Sequence, residues 1–239
     1  MHEQVERSRS WLLQRINQAD FELIEPHLES VRLDLRASLE KAGEKIQFVY
    51  FVESGLASVV ASTGEGYDAE VGVIGFEGMT GSALIMGDHQ ATHDCFVQMT
   101  CEGLRMDAAA FVTVLSQSNT LRTFLLRYVL ALHVQTTYTA LINVRCTIDE
   151  RLARWLLMCA DRVIGNRLAI THAFLSIMLG VRRPGVTLAL QVLEGQGLIQ
   201  ARRGEVTIRD RAGLVALAGR SYGLPEAEYR RLVTELAPA

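Results

Sequence analysis

The sequence predicts an α+β protein in three successive parts: a β-rich N-terminal domain, one long helix, and a C-terminal pair of helices followed by a basic hairpin. Three observations carry this. Short apolar segments punctuated by glycine fill the stretch from Val31 to Arg105. An uninterrupted helical pattern follows from Asn119 to Arg145. From Ile170 to Ile208 the pattern changes to two short helical periods and then two strand-like ones. At 239 residues the chain can build two separate cores. The parts divide as residues 1–117, 118–146 and 147–239.

The first element is helical, over residues 4–30. Trp11, Leu12 and Ile16, then Phe21, Ile24 and Leu28, recur at three- and four-residue steps, and Asp20 can cap the second piece. Strands are expected at 46–52, 56–61, 69–74 and 94–100. Turns are expected at Glu53-Ser54-Gly55, Thr63-Gly64-Glu65-Gly66 and Gly87-Asp88. Several short strands at close spacing point to a barrel or sandwich.

Asp107–Leu115 reads as a short helix, and the long helix follows. Its 27 residues would run roughly 40 Å at 1.5 Å per residue. Leu121, Leu125, Tyr128, Leu132, Gln135, Thr139 and Ile142 alternate steps of four and three along it, a heptad-like seam. Such a stripe needs a partner surface. A second copy of the chain is the favoured partner; the same chain's β domain is the alternative. Thr147-Ile148-Asp149-Glu150 then has capping-box spacing, so a new helix starts there and Arg145–Thr147 is a hinge.

In the C-terminal part Thr171 can cap a helix whose apolar face is Phe174, Leu175, Met178 and Leu179. Gly180 suits a left-handed turn, and Arg183-Pro184-Gly185 opens a second helix buried through Val186, Leu190 and Leu193. Leu198–Gln200 and Val206–Ile208 read as two strands joined across Arg202-Arg203-Gly204-Glu205. Helix, tight turn, helix and hairpin make a winged helix-turn-helix, which places its second helix in the DNA major groove. Between Arg167 and Arg211 there are seven Arg, no Lys and three acids, an excess of four positive charges on a chain whose net charge is −3. That local excess fits phosphate contact. Beyond it, helices are expected at 212–218 and 225–236.

Residues 170–199 resemble the DNA-binding unit of the Crp–Fnr transcription regulators, and the rest of the chain follows the same plan. The resemblance implies a cyclic-nucleotide-binding-like β-roll (a jelly-roll) as sensor, a dimerisation helix, and double-stranded DNA with a palindromic operator as partner. RNA polymerase is a further implied partner. By position, Arg183 matches the family's guanine-reading arginine. Two other contact positions depart from the cyclic-AMP receptor pattern: a glutamate there is Pro184 here, and a second arginine is Leu188. The DNA-contacting set is therefore Arg182, Arg183, Thr187, Thr171 and His172, with Arg202 and Arg203 on the wing.

The family's sensor often holds a cyclic nucleotide through an arginine, a serine and backbone N–H groups of a glycine-rich turn. The corresponding residues here are Gly75, Glu77, Gly78, Gly81, Ser82, Thr92 and His93, without the Arg-Ser pair. From Ile46 to Leu104 there is no Lys or Arg and there are eight acids. A buried phosphate without a nearby cation costs several kcal/mol, so an effector other than cyclic AMP is expected unless Arg122 or Arg127 reaches in. The alternatives are a cyclic-nucleotide receptor with an atypical pocket and a haem- or metal-based redox sensor using His89 and His93. No cofactor or metal is assigned.

Some members of the family this chain resembles hold an iron–sulfur cluster with clustered cysteines near the N-terminus; here four scattered cysteines contain no CxxC pair and none precedes Cys95, which argues against that sensor type. The polar start MHEQVERSRS and the lack of an apolar run of ~18 residues favour a cytoplasmic protein without a membrane partner. No nucleophile–base pair or H-E-x-x-H arrangement is found, so an enzyme is not expected.

Overall fold

A computed structural model describes residues 8–64 and 68–235. Two short helices, α1 (Trp11–Arg15) and α2 (Gln18–Ile24), lead into a 3₁₀ turn at Glu25–His27. Residues 4–7 of the helix expected at the start lie outside the described residues. The cap of α2 is Asn17, which accepts from Asp20 N, rather than Asp20 itself. Asp20 is buried and accepts from Ser118 Oγ and, at 2.8 Å, from Thr120 Oγ1, tying α2 to the far end of the domain.

Five strands form one antiparallel sheet: β1 (Glu29–Leu33), β2 (Ser38–Glu40), β3 (Phe48–Ser62), β4 (Asp68–Ile74) and β5 (Asp94–Asp107). The order is β1-β5-β3-β4, with β2 also on β5. β1 and β2 are too short and polar to announce themselves by alternation, and sequence reading omits them. The turn expected at Glu53-Ser54-Gly55 is instead a bulged stretch inside β3, where the register against β5 shifts. Gly55 has φ +82°, and a Cβ there would strike the Thr100 carbonyl; a Cβ on Gly103 would strike the Phe51 carbonyl. Glycine lets these long strands bend across one another rather than end. Gly87 closes a short helix, α3 (Ser82–Met86), in the left-handed conformation. Glu65 and Gly66 of the other expected turn lie outside the described residues.

Asp107 caps α4 (Ala108–Gln117) by accepting from Ala109 N and Ala110 N, and Ser118 caps α5 (Asn119–Arg145). The predicted seam of α5 faces its own chain, which corrects its assignment to a dimer. Leu121, Leu125 and Tyr128 join Phe51, Phe111 and Phe124 in the N-terminal core. Tyr128 Oη donates to Met79 O at 2.7 Å and accepts from Met79 N at 3.0 Å. Gln135 Oε1 accepts from Val73 N at 2.7 Å, and Thr139 Oγ1 accepts from Arg154 Nη2 at 3.2 Å. Leu132 is half-buried and Ile142 is buried. Heptad spacing marks a face that is covered without naming the surface that covers it. A flanking face exposes Leu126, Leu130, Leu141 and Val144, with His133 and Thr137 between them at steps of three and four; Leu126, Leu130 and His133 also border a cavity beside the sheet.

The C-terminal part holds α6 (Ile148–Ala160), β6 (Arg167–Leu168), α7 (His172–Leu179), α8 (Arg183–Gly195), β7 (Ile199–Arg202), β8 (Glu205–Ile208) and α9 (Arg211–Ala218). After a 3₁₀ turn come α10 (Leu224–Tyr229) and a π-helical turn, Arg230–Glu235. Leu236 of the expected last helix lies outside the described residues. The Thr147–Glu150 capping box is present. β6, which the sequence reading lacks, completes a three-stranded sheet in the order β6-β8-β7. The extension beyond α9 returns to the N-terminal domain, where Leu232 and Val233 pack with Leu12 and Leu13.

The two domains share a core. Leu56, Val60, Val73 and Met99 of the sheet cluster with Leu157, Leu175 and Leu179 of the C-terminal helices. Phe96 on β5 meets Phe174 on α7 edge to face at 5.9 Å. Trp155 Nε1 donates to Glu70 Oε1 at 2.6 Å, and Arg162 pairs with Glu77 at 2.6 Å.

Candidate nucleic-acid interface

The helix-turn-helix is built from local signals. Thr171 Oγ1 accepts from Phe174 N at 3.2 Å, satisfying one of the donors that a helix start leaves free. Gly180 adopts φ +59°, and Gly180 N and Val181 N donate to Ile177 O and Ser176 O, which closes α7. Arg183-Pro184 forms the first turn of α8, where the missing proline N–H leaves no partner unmet. Helices α7 and α8 bend by 101° across this turn, within the roughly 90–120° of the motif. No single helix among the described residues is long and apolar enough to cross a membrane.

Val186, Ala189, Leu190 and Leu193 bury one face of α8. Its other face presents Arg183, Pro184, Leu188 and Gln191 to solvent, just after the exposed Arg182. Leu188 is 62% exposed, far too open for a core residue. Thr187 Oγ1 donates to Arg183 O at 3.1 Å and lies 3.3 Å from His172 Nδ1. The start of α7 and the first turns of α8 therefore share one surface, which unites Thr171, His172, Arg182, Arg183 and Thr187. Neither Arg182 nor Arg183 makes an ion pair among the described residues.

The wing is a two-residue hairpin, tighter than expected, turning on Arg203 and Gly204, with Gly204 at φ +78°. Arg202 and Arg203 are exposed. Glu205 beside them is paired with Arg167 on β6 at 2.7 Å, and that guanidinium holds its carboxyl below the ordinary carboxylate range. The one wing-tip acid is thus neutralised from within, and the two arginines keep their charge. The role of Arg167 is a contact between distant strands that its sequence neighbours do not reveal.

The candidate effector residues separate. Gly81, Ser82, Thr92 and His93 line a cavity of about 420 Å³ between the sheet and α5. Met79, Leu126 and Leu130 make it largely apolar, and His133 is its other imidazole. Gly75, Glu77 and Gly78 lie elsewhere. A Cβ on Gly78 would meet Tyr128 Oη, and one on Gly75 would meet Arg162, so both glycines serve close packing. Within the cavity Glu40 Oε1 accepts from Gly81 N at 2.5 Å, and burial pushes the Glu40 carboxyl above its ordinary value. A backbone donor suited to a phosphate is therefore already taken by a carboxylate of the chain. Neither Arg122 nor Arg127 lines the cavity. Thr92 Oγ1 and His93 Nδ1 lie 2.9 Å apart. Among the described residues no three His, Cys, Asp or Glu side chains are gathered to hold a metal ion.

Comparison with known proteins matches residues 150–217 to the Crp-like helix-turn-helix domain and residues 32–118 to the cyclic nucleotide-binding domain. No curated protein matches the chain. Among solved structures, a putative transcriptional regulator of the Crp/Fnr family from Eubacterium rectale superposes with a TM-score of 0.69 at 20% identity, covering 87% of this chain and 97% of that one. A Crp-family transcriptional regulator from Thermus thermophilus gives 0.66 at 19% identity, covering 79% and 96%. The c-di-GMP-responsive global regulator CLP of Xanthomonas campestris gives 0.62 at 18% identity, covering 80% and 99%. At these identities the likeness is one of fold.

Proposed function

This chain has the architecture of a Crp–Fnr regulator, a cyclic nucleotide-binding domain followed by a Crp-like helix-turn-helix, and we propose that it is a homodimeric, sequence-specific regulator of transcription whose sensor takes something other than cyclic AMP. The observation that carries DNA binding is the surface where the start of α7 meets the first turns of α8, on which Arg182 and Arg183, without an ion pair among the described residues, stand beside Thr187 and His172. Arg183 reads a base, with Arg182 and Thr187 beside it and Thr171 and His172 at the groove edge. Arg202 and Arg203 of the wing hold the phosphate backbone.

Dimerisation is assigned to the exposed face of α5. Leu126, Leu130, Leu141 and Val144 form an apolar row that a two-fold partner can cover with its own copy. Such a dimer places two recognition helices about 34 Å apart on a palindromic operator. RNA polymerase is the further partner this reading implies. The sensor reading rests on Glu40: with Gly81 N–H occupied and no basic side chain from Ile46 to Leu104, a phosphodiester meets a carboxylate where it needs a cation.

Selection of bound DNA from a random pool, with and without cyclic AMP and cyclic GMP, tests the reading. Two half-sites about one helical turn apart, unchanged by either nucleotide, are expected. A single half-site, or enrichment that requires a cyclic nucleotide, overturns the corresponding part. Light scattering on Leu130→Glu/Leu141→Glu should show a monomer whose circular dichroism is that of a folded chain and whose melting temperature no longer depends on protein concentration; a persisting dimer refutes the α5 interface.

A further inference from the structure

The outward side of α8 carries an apolar residue that neither core packing nor phosphate contact explains. Val186, Ala189, Leu190 and Leu193 are buried, and Val192 packs on the same core. Leu188 points the other way and is the large apolar side chain of this helix that stays exposed, at 62%. It stands one turn beyond the exposed Pro184 and three residues before the exposed Gln191. Steps of four and three put these residues in one line along the middle of the outward face. Thr187, one residue back, lies to the side of that line, 3.3 Å from His172 Nδ1.

The surroundings of Leu188 are cationic. Arg182 and Arg183 are exposed just before it, without an ion pair among the described residues. The acid of α8, Glu194, sits in the last turn, where it accepts from Ala201 N at 2.9 Å and is drawn towards the first strand of the wing. The face around Leu188 therefore suits an anionic partner, and an apolar side chain at its centre gains only from an apolar group on that partner. Five residues separate Arg183 from Leu188, about 7.5 Å along the axis at about 1.5 Å per residue, or roughly two base-pair steps of ~3.4 Å.

Leucine has neither donor nor acceptor, so it bonds to no base edge. Base edges in the major groove present donors and acceptors, and the apolar group among them is the 5-methyl of thymine. Against a G·C pair Leu188 would strip water from polar atoms and leave them unpaired, which is unfavourable. Against a thymine methyl, two hydrocarbon surfaces leave water together. We propose that Leu188 reads the 5-methyl group of one thymine in each half-site, within about three base pairs of the base read by Arg183. This rests on α8 being the recognition helix of a DNA-binding chain. It adds what that helix selects at the position where leucine stands in place of a second arginine.

Fluorescence anisotropy of the full-length protein on the operator recovered from the random pool tests this. Each thymine of a half-site is replaced in turn by deoxyuridine, which lacks only the 5-methyl group. One thymine near the Arg183 contact should lose about fourfold in affinity per half-site, and about fifteenfold when both half-sites are changed. Cytosine at that position should cost about tenfold, and 5-methylcytosine should recover part of the loss. In Leu188→Ser the thymine and deoxyuridine operators should bind alike, at an unchanged melting temperature because the side chain is exposed. Failure to bind any DNA removes the recognition-helix reading and the proposal with it. Three results on a selected operator overturn the proposal alone. They are neutrality of every deoxyuridine substitution, a methyl effect that persists in Leu188→Ser, and one that vanishes in Thr187→Ser instead.

Discussion

The recognition surface and the sensor domain dispose of charge in opposite ways. On α8 and the wing, Arg182, Arg183, Arg202 and Arg203 stand exposed, and the one acid at the wing tip is cancelled by Arg167. In the sensor domain the carboxyl groups of Glu70 and Glu77 are buried and that of Glu40 is half-buried, and all three are bonded to the chain itself. Exposed, unpaired charge is inexpensive and available to a partner; buried charge is expensive and is held only where the fold supplies donors. The first region leaves its guanidiniums open to an anionic partner; the second meets its acids from within.

The largest effect is expected at Arg162, which is buried against Glu77. Arg162→Met leaves Glu77 buried without its cation and should cost about 3–5 kcal/mol in chemical denaturation. Arg162→Met/Glu77→Leu should recover most of that. A single variant as stable as the parent would mean that the sensor side holds its charge no more tightly than the surface does.

Glu70, buried beneath Trp155, comes next. Burial pushes this carboxyl up to about 7 from an ordinary 4.5, against the hydrogen bonds from Ser58 and Trp155 that favour the ionised form. The folded chain then holds a proton that the unfolded chain has released between those two values. Stability is fully present below about pH 4.5 and falls as pH rises through 7, by about 3 kcal/mol in all. Urea midpoints at pH 5 and pH 8 should differ in the parent and converge in Glu70→Gln; equal slopes in both proteins contradict the assignment.

On the exposed side the effects are smaller. Arg183→Ala should cost about 1–3 kcal/mol on the cognate operator and relax base choice at one position per half-site. An equal loss on random DNA demotes it to a phosphate contact. Arg202→Ala should weaken every sequence alike and lower the salt slope by about one. An unaltered slope removes the wing from the backbone.

Much of this molecule is legible residue by residue. The bounds of α5 at Asn119 and Arg145, the Thr147–Glu150 box, the Thr171 cap and the Gly180 turn all follow from hydrogen bonds a few residues apart. The recognition face is legible for the same reason, since α8 has one apolar side and its arginines lie on the other. The sensor is less so. β1 and β2 gain their place only by pairing with β5, and Gly55 reads as a turn until its closeness to Thr100 is seen. The glycines 75 and 78 look like a phosphate cradle, yet they make room for Arg162 and Tyr128. The heptad spacing of α5 marks a buried face, but its cover is the chain's own core, and Leu126, Leu130, Leu141 and Val144 stay outside.

The sequence by itself determined the helix-turn-helix, the wing, the length of α5 and the poverty of basic residues in the sensor, because each depends on periodicity, capping or composition along a contiguous stretch. Tertiary structure alone decided which side of α5 stays free, that Glu40 occupies Gly81 N–H, that Arg167 cancels Glu205, and that the C-terminal extension closes a cavity over Arg162. Each of these joins residues far apart in the chain, and such contacts arise only once burial has chosen which surfaces meet.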